Sequence, residues 1–540
     1  MCIEVRVNID ETFSWKCYLQ DDIKLFFSGY LLDCSIEDVQ SRIISIIKNE
    51  SDIVHELQEL IISLRGHFSF VLQTDRWVFS AVDQVCSIPI FYMQTDQILY
   101  LSNRASLIKD EINKEDLSIN DDALLEIKMS GCTISEKTLV NGLFRLDAGN
   151  YAFFQKNTEL EIVNYYKYWN ECNQASESTD DFDKVIKSVF SRYISYLDGR
   201  QVIVPLSGGY DSRLIVSMLY EFNYKNVICF TFGKKNSFEH KAAEKIASRL
   251  NYKWFPIYQT KKLIRKYIKS EHAEKYYSFC ETFSNPPSML DAFAIQQLIK
   301  KAPIEKDAVV INGNTGDFIS GGHIPVNIDF EKLIKGSNCL GLDVHFLNKH
   351  FSLWDAYRTV NNDKKMITNL NKVVNKYLNS NSNIPEYMIY ETLEVLHRQS
   401  KLILSMQRGY EFNNLSWVLP FWDKEYVKYW GGKSIKGKMN SSYYREQLLK
   451  HNYAGVWKDI PVNNKTIPVL VRLIRVLFMS FFIFSNKSKW KRFDKKWFYY
   501  FYEDTANIGI VRYWQILNDK LGYRNALSWR VMKYINSIKL

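Results

Sequence analysis

Gln201-Val202-Ile203-Val204-Pro205-Leu206-Ser207-Gly208-Gly209-Tyr210-Asp211-Ser212 is the stretch whose reading decides the fold. Its first six residues form an apolar run of strand length with no polar alternation, the pattern of a strand covered on both faces. A Gly-Gly turn follows, then the amphipathic stretch Ser212–Phe222. Further along come a strand over Asn226–Phe232, a helix over Glu239–Leu250 and helical segments around Thr260–Ser278 and Met289–Lys301. The apolar strand Ala308–Ile311 comes next, and the chain beyond Asp329 reads as mostly helical. Strand and helix alternating at these lengths predict an α/β unit built on a parallel sheet.

The Gly-Gly turn carries the chemistry. Gly208 and Gly209 let the backbone turn tightly, and the helix after them offers unpaired N–H donors and a positive dipole end, a place suited to phosphate. Ser207 and Ser212 add hydroxyls. Asp211 would repel phosphate unless a hard cation lay between them, which points to Mg²⁺. The plain alternative is an ordinary turn in an α/β protein. A second candidate follows the strand AVVI: Asn312-Gly313-Asn314-Thr315-Gly316-Asp317, then Gly321-Gly322. At the carboxyl end of a neighbouring parallel strand, Asp317 would face the same crevice as Asp211, making the two candidate Mg²⁺ ligands. A solvated turn aspartate is the competing reading.

No Walker A pattern is present. Ser207–Ser212 instead resembles the pyrophosphate loop of ATP pyrophosphatases, which cleave ATP between the α and β phosphates and adenylate a substrate. That resemblance implies that the next strand, with Thr231 and Phe232, presents its backbone to adenine, and that Gly313 lines the nucleotide site. With Leu419-Pro-Phe-Trp-Asp423 added, the chain is similar over nearly its whole length to the asparagine synthetase family. The implied fold is an N-terminal α+β sandwich of the Ntn, class II glutaminase type and a C-terminal parallel-sheet domain of the adenine nucleotide α-hydrolase (PP-loop) type, with a helical extension. The implied activity is ATP- and Mg²⁺-dependent, AMP-forming amide synthesis.

Strand-like runs at KLFFSGYLL, GHFSFVLQ, WVFSAVD, IPIFYMQ, ILYLSN and GNYAFFQ, with helical stretches at Ser35–Lys48 and Ile53–Leu64, make up the first 165 residues. GHFSFVLQTDRWVFSAVDQVCSIPIFY is similar to the core of a class II glutaminase, and Cys2 stands where that family keeps its nucleophile. Three features depart from the family: Met1-Cys2-Ile3-Glu4 replaces M-C-G-I, no R-H-R-G-P-D segment occurs, and Ser28-Gly29-Tyr30 stands in place of the Asn-Gly-Glu of the oxyanion hole. The expectation is a degenerate glutaminase scaffold. In the second half, Asn314 takes the place of a catalytic glutamate, so candidate bases are sought on YETLEVLH, at Glu391 and Glu394. Lys438 and Arg445 are the candidates for the cation that steadies the adenylation transition state.

The expected organisation is a glutaminase-like domain over 1–165, a polar linker over 166–183, a synthetase-like domain over 184–460 and a basic aromatic extension over 461–540. The chain's 540 residues are too many for one core. Its nine cysteines are scattered without paired spacing, and the N-terminus shows no basic region leading into an apolar stretch, which together suggest a reducing cytoplasm. From Lys465 onward fifteen basic residues stand against four acidic ones, so that the formal charge of +10 resides in the tail. The apolar, arginine-bearing run Ile467–Phe484 is too short between charges to span a bilayer. It suits either a helix in an anionic membrane interface or a helix packed on the core with its basic face in water. Nucleic acid is not an expected partner, whereas a small-molecule carboxylate is, such as a uronic acid sugar of surface-polysaccharide pathways. Intramolecular lactam closure of the lasso-peptide or β-lactam kind is the alternative, and a non-catalytic scaffold the third.

Overall fold

The computed structural model describes residues 3–20, 22–49, 52–156, 158–168, 181–326, 328, 340–378, 384–462, 469–482, 487–502 and 509–538. Cys2 lies outside them, as do residues 169–180 of the predicted linker.

Ten strands build the N-terminal region: β1 (Glu4–Asn8), β2 (Lys16–Gln20), β3 (Ile23–Leu31), β4 (Gly66–Gln73), β5 (Trp77–Val82), β6 (Phe91–Gln94), β7 (Ile98–Ser102), β8 (Leu143–Arg145), β9 (Asn150–Gln155) and β10 (Glu161–Asn164). They form a six-stranded antiparallel sheet, β10-β9-β5-β4-β3-β2, and a four-stranded sheet, β1-β7-β6-β8, in which β1 runs parallel to β7. Helices Ile36–Asn49 and Ile53–Ser63 pack Val39, Ile43, Leu57 and Ile61 onto Phe68, Phe70, Leu72 and Phe79 of the larger sheet. All six expected strands form. β1, β2 and β10 are further strands with largely exposed or half-buried residues, which leave little apolar pattern to read. Two short helices were also unexpected, Ala105–Glu111 and Asp121–Ser130. The second has legible ends: Asn120 caps its start and left-handed Gly131 its finish.

The third sheet is five-stranded and wholly parallel. β11 (Val202–Pro205), β12 (Val227–Gly233), β13 (Lys253–Tyr258), β14 (Val309–Ile311) and β15 (Ser416–Val418) lie in the order β13-β12-β11-β14-β15. The chain steps outward from β11 through β12 to β13, then returns to the other side of β11 for β14 and β15. The order therefore reverses between β11 and β14, and the crevice outside their carboxyl ends is where open α/β sheets bind ligands. Ser207–Ser212 leaves β11 at that point and Asn312–Asp317 leaves β14. β15 is a strand in the region beyond Asp329 that reads as mostly helical; three residues are too few to show a period.

Both halves share one apolar core. Tyr30 is buried at the junction, with its hydroxyl 2.7 Å from His67 Nδ1, 3.3 Å from the Tyr193 hydroxyl and accepting from Leu419 N–H at 3.0 Å. Gln84 Nε2 donates to the Trp422 carbonyl at 2.5 Å. Tyr168, inside the predicted linker, is buried against Phe318 and Trp422. In the extension, helix Ala526–Ser537 packs back across Asp121–Ser130: Val531 and Tyr534 join Ala123, Ile127 and Trp354 in a second core. Among the described residues no helix is long and apolar enough to cross a membrane.

Candidate active site

The loop after β11 is shaped by its own serines. Ser207 N–H donates to Ser212 Oγ at 3.0 Å, Gly209 N–H donates to Ser207 Oγ at 3.1 Å, and the two hydroxyl oxygens lie 3.0 Å apart. Two hydroxyls hold two protons, and one proton suffices for their mutual bond, which leaves one O–H for a ligand. Helix Tyr210–Glu221 begins directly after Gly209. Helix Phe238–Arg249 crowds the turn from behind, so that a Cβ on Gly208 would come within 2.9 Å of Phe238. Buried Arg213 donates to the Gly208 carbonyl at 2.9 Å and to the Ile460 carbonyl at 2.7 Å, fixing that peptide's orientation from the far side.

Asn312–Asp317 is pressed against this loop. A Cβ on Gly313 would stand 2.6 Å from Ser212 N, and one on Gly316 2.6 Å from Asp211 Cγ. Thr315 between them has φ of 74°, an unfavourable angle for a β-branched residue, in the turn that delivers Asp317. Asp317 N–H donates to Asp211 Oδ2 at 3.0 Å, and the Tyr444 hydroxyl donates to Asp211 Oδ1 at 3.0 Å. Desolvation first, and repulsion from Asp317 second, push the Asp211 carboxyl up to about 8. Gly316→Ala is therefore expected to displace Asp211 and to cost on the order of a hundredfold in turnover; steady-state kinetics beside a melting curve checks it.

From Asp317 a chain of charges leads inward. His323 Nε2 lies 3.4 Å from Asp317 Oδ2, and its Nδ1 lies 3.1 Å from Glu394 Oε2. Desolvation would lower His323, but hydrogen bonds to Asp317 and Glu394 outweigh it and raise the imidazole to about 9. Lys349 Nζ, at 3.0 Å, and His350 Nε2, at 2.7 Å, also converge on buried Glu394. One turn earlier, Glu391 Oε2 pairs with Lys438 Nζ at 2.7 Å; both groups are buried, and Glu391 Oε1 has no hydrogen-bond partner. Glu394 opens a run of wider, π-type helical turns over Glu394–Ile403, a feature often found at functional sites. Lys438 packs beside the Asp317 turn, where a Cβ on Gly321 would meet the Lys438 carbonyl at 2.4 Å.

The structure thus brings Asp211, Asp317 and Gly313 to one point and joins Lys438 to Glu391. Arg445 has a different place: its guanidinium donates to the carbonyls of Asn440 and Ser441, two residues at left-handed angles, and holds that turn. The Thr231 side chain is bound within the sheet. Its hydroxyl donates to the Leu206 carbonyl at 2.7 Å and accepts from Trp254 Nε1 at 2.9 Å. Phe232 fits the nucleotide reading better. Leu206 N–H bonds the Phe230 carbonyl, so two residues on, the peptide groups of Phe232 point to the same side, where β11 has ended. Tyr444, His323 and Arg213 escaped the sequence reading, since each acts through a partner far away in the chain.

Among the described residues no three His, Cys, Asp or Glu side chains form a metal cage. The carboxylates of Asp211 and Asp317, on adjoining loops, nevertheless fit Mg²⁺, which keeps several waters and takes its remaining ligands from phosphate oxygens. A cavity of about 490 Å³ lies elsewhere, at the amino ends of β14 and β15, lined by Ser28, Gly29, Tyr30, Lys306, Glu411 and Trp417 among others.

Residues 196–441 match the model of the asparagine synthase family. No curated protein matches the chain. Among solved structures, glutamine phosphoribosylpyrophosphate amidotransferase from B. subtilis, complexed with ADP and GMP, is 9% identical over 56% of this chain and 58% of its own, with a TM-score of 0.18. The chain thus spans under two thirds of that protein. The NH3-dependent NAD synthetase of Campylobacter jejuni, in complex with the nitrate ion, is 15% identical over 40% of this chain and 94% of its own, with a TM-score of 0.21. An allosteric regulatory enzyme of purine biosynthesis is 9% identical over 62% and 60%, with a TM-score of 0.19. Likenesses this slight say nothing of activity.

Proposed function

We propose that the asparagine synthase domain at residues 196–441 makes this chain an ATP-dependent, AMP-forming amide ligase. The observation that carries the reading is the Asp317 N–H bond to Asp211, with Gly313 and Gly316 removing every side-chain atom that would hold the two loops apart. Nothing in packing a parallel sheet asks for two carboxylates at its switch point. ATP would lie with its adenine edge on the Phe232 peptide and its β and γ phosphates on the Gly208–Ser212 turn. Asp211 and Asp317 would hold Mg²⁺, which when bound neutralises pyrophosphate charge.

A substrate carboxylate oxygen then attacks the α phosphorus. The bond from that phosphorus to the bridging oxygen breaks, and pyrophosphate leaves with the electron pair. The nitrogen of ammonia or an amine next attacks the acyl carbon, AMP departs with its oxygen, and the ammonium proton passes to a base. The loop donors and the fixed turn supply orientation and charge stabilisation. Glu391 and Glu394 are the candidate bases, and Glu391 Oε1, buried without a partner, is the better placed to accept a proton.

Ammonia is not proposed to come from glutamine hydrolysis in this chain. Tyr30, where the resemblance puts an oxyanion-hole residue, is committed to the junction through His67, Tyr193 and Leu419, and Ser28 Oγ lies 2.7 Å from Ser14 Oγ. The acceptor proposed is a uronic acid sugar, as a nucleotide or lipid-linked derivative. The test is ATP–pyrophosphate exchange with candidate carboxylates, followed by product analysis with ammonium. Exchange dependent on a uronic acid sugar nucleotide, with AMP released, is expected. Exchange dependent on a peptide would point to a cyclase, and release of ADP would overturn the ligase reading altogether.

A further inference from the structure

Helix Val469–Ser480 reads VLVRLIRVLFMS, and among the described residues one of its sides is covered and the other is not. On that side Arg475 Nε and a terminal nitrogen bond both carboxylate oxygens of Asp494, at 2.5 and 2.9 Å, and the Tyr502 hydroxyl donates to the same carboxylate at 2.7 Å. Phe478 lies 5.5 Å from Phe493 and 5.8 Å from Phe498, ring centre to ring centre, and Phe482 lies 5.1 Å from Phe493. Arg475, Phe478 and Phe482 recur at helical spacing and seat the helix on its neighbour, Lys487–Trp497.

The opposite side is apolar and open. Val469, Leu473, Leu477 and Phe481 recur every four residues and are 74, 59, 67 and 81% exposed, with Leu470 and Val476 exposed beside them. A patch this size on a folded chain marks an interaction surface. Arg472 is exposed on the same helix, and the neighbouring helix, seated on the covered side, carries exposed Lys487, Lys489, Lys491, Arg492 and Lys496 and half-open Trp497.

We propose that this helical pair docks on an anionic membrane surface, the apolar side of Val469–Ser480 lying at the acyl boundary and the basic residues of the pair drawing it to lipid phosphates and carboxylates. An apolar stripe with flanking cations and an interfacial tryptophan has the chemistry of that boundary. A second copy of the chain would set one basic tail, fifteen basic residues against four acidic ones, against another, and lysine is disfavoured in protein interfaces. At twelve residues the helix is far too short to span a bilayer. The inference stands apart from the ligase reading: no residue in it touches the Asp211–Asp317 crevice.

Cosedimentation of the full chain with vesicles tests it. Vesicles of phosphatidylcholine with about 30% phosphatidylserine should bind at least about tenfold more protein than phosphatidylcholine alone, and raising salt from about 0.15 to about 0.5 M should release it. L473D/L477D/F481D should abolish binding while leaving nucleotide turnover and melting unchanged, because these side chains are exposed. K487Q/K489Q/K491Q/R492Q should remove the preference for anionic lipid. Failure to bind vesicles, or binding that the triple aspartate variant retains, overturns the proposal. So does a dimer that the same variant dissolves without any vesicle binding, which would give the face to a second copy.

Discussion

Asp211→Asn is expected to cut ATP–pyrophosphate exchange by about a thousandfold, the scale of losing a charged group aimed at the developing pyrophosphate. The fold should barely notice. Asp211 is a carboxylate whose ionisation is opposed by desolvation and by Asp317, so removing its charge relieves a local repulsion. Against that gain, an amide offers one acceptor oxygen where the carboxylate offers two, and either Tyr444 or the Asp317 N–H loses its partner. The two effects oppose each other and leave a net change of about 1 kcal/mol or less in stability. Loss of activity with retained stability is the signature of a residue kept for chemistry. Asp317→Asn should lose exchange in the same way but cost more stability, because its charge is favoured by the bond to His323. Exchange assays and calorimetry on both variants check this, and an unchanged exchange rate in either would reduce the crevice to a bystander.

The same crevice shows what a sequence discloses and what it withholds. Ser207–Ser212 was legible because one contiguous segment does three local jobs: it ends a strand, turns on two glycines and starts a helix bearing a carboxylate. Asn312–Asp317 was legible for the same reason. The partnerships between segments were not. Glu391 and Lys438 were each picked out singly, yet their bond joins positions 47 residues apart. Tyr444 reaches Asp211 across 233 residues, and no periodicity records such a meeting. His323 directly follows the Gly321-Gly322 that closes the motif holding Asp317, and its role emerges only once Glu394 is beside it. Arg213 faces away from the crevice and acts through a carbonyl.

Architecture divides along the same line. Long interior strands such as β4, β5 and β11 announce themselves by burial, whereas β1, β2 and β10 carry exposed or half-buried residues. β15 is three residues, and its reason for being a strand is β14. Tyr30 is instructive in another way. Read locally it is a substitution in an oxyanion hole; in the structure it is a wedge that ties β3 to the Leu419 loop, so a residue lost to one chemistry serves the junction between the halves. In the extension the apolar run was recognised, but packing on the core with the basic face in water was a natural expectation. Its covered side instead holds an arginine and two phenylalanines, and its apolar side faces out, because the aromatic clamp with Lys487–Trp497 takes the other.

Lys438→Met should be the most damaging single change to stability. It strips the counter-charge bonded to Glu391, and an unpaired carboxylate in a buried site costs about 3–5 kcal/mol. The cost has a direction in pH. Burial alone raises the Glu391 carboxyl, and Lys438 is what opposes that rise. Without the lysine the folded state holds the proton more tightly than the unfolded state, whose carboxyl is that of an ordinary glutamate. The variant is then least impaired below the unfolded value, near about pH 4, and loses stability as pH rises through the folded value. Melting temperatures of the variant should therefore fall between pH 5 and pH 8 relative to the parent. Lys438→Met/Glu391→Leu should recover most of the loss, since a buried ion pair is commonly replaceable by apolar groups of similar volume. Exchange activity should not return with it, if the pair serves the reaction at the Asp317 turn. Recovery of both stability and activity in the double variant would make the pair a packing device, and the search for the base would move to Glu394.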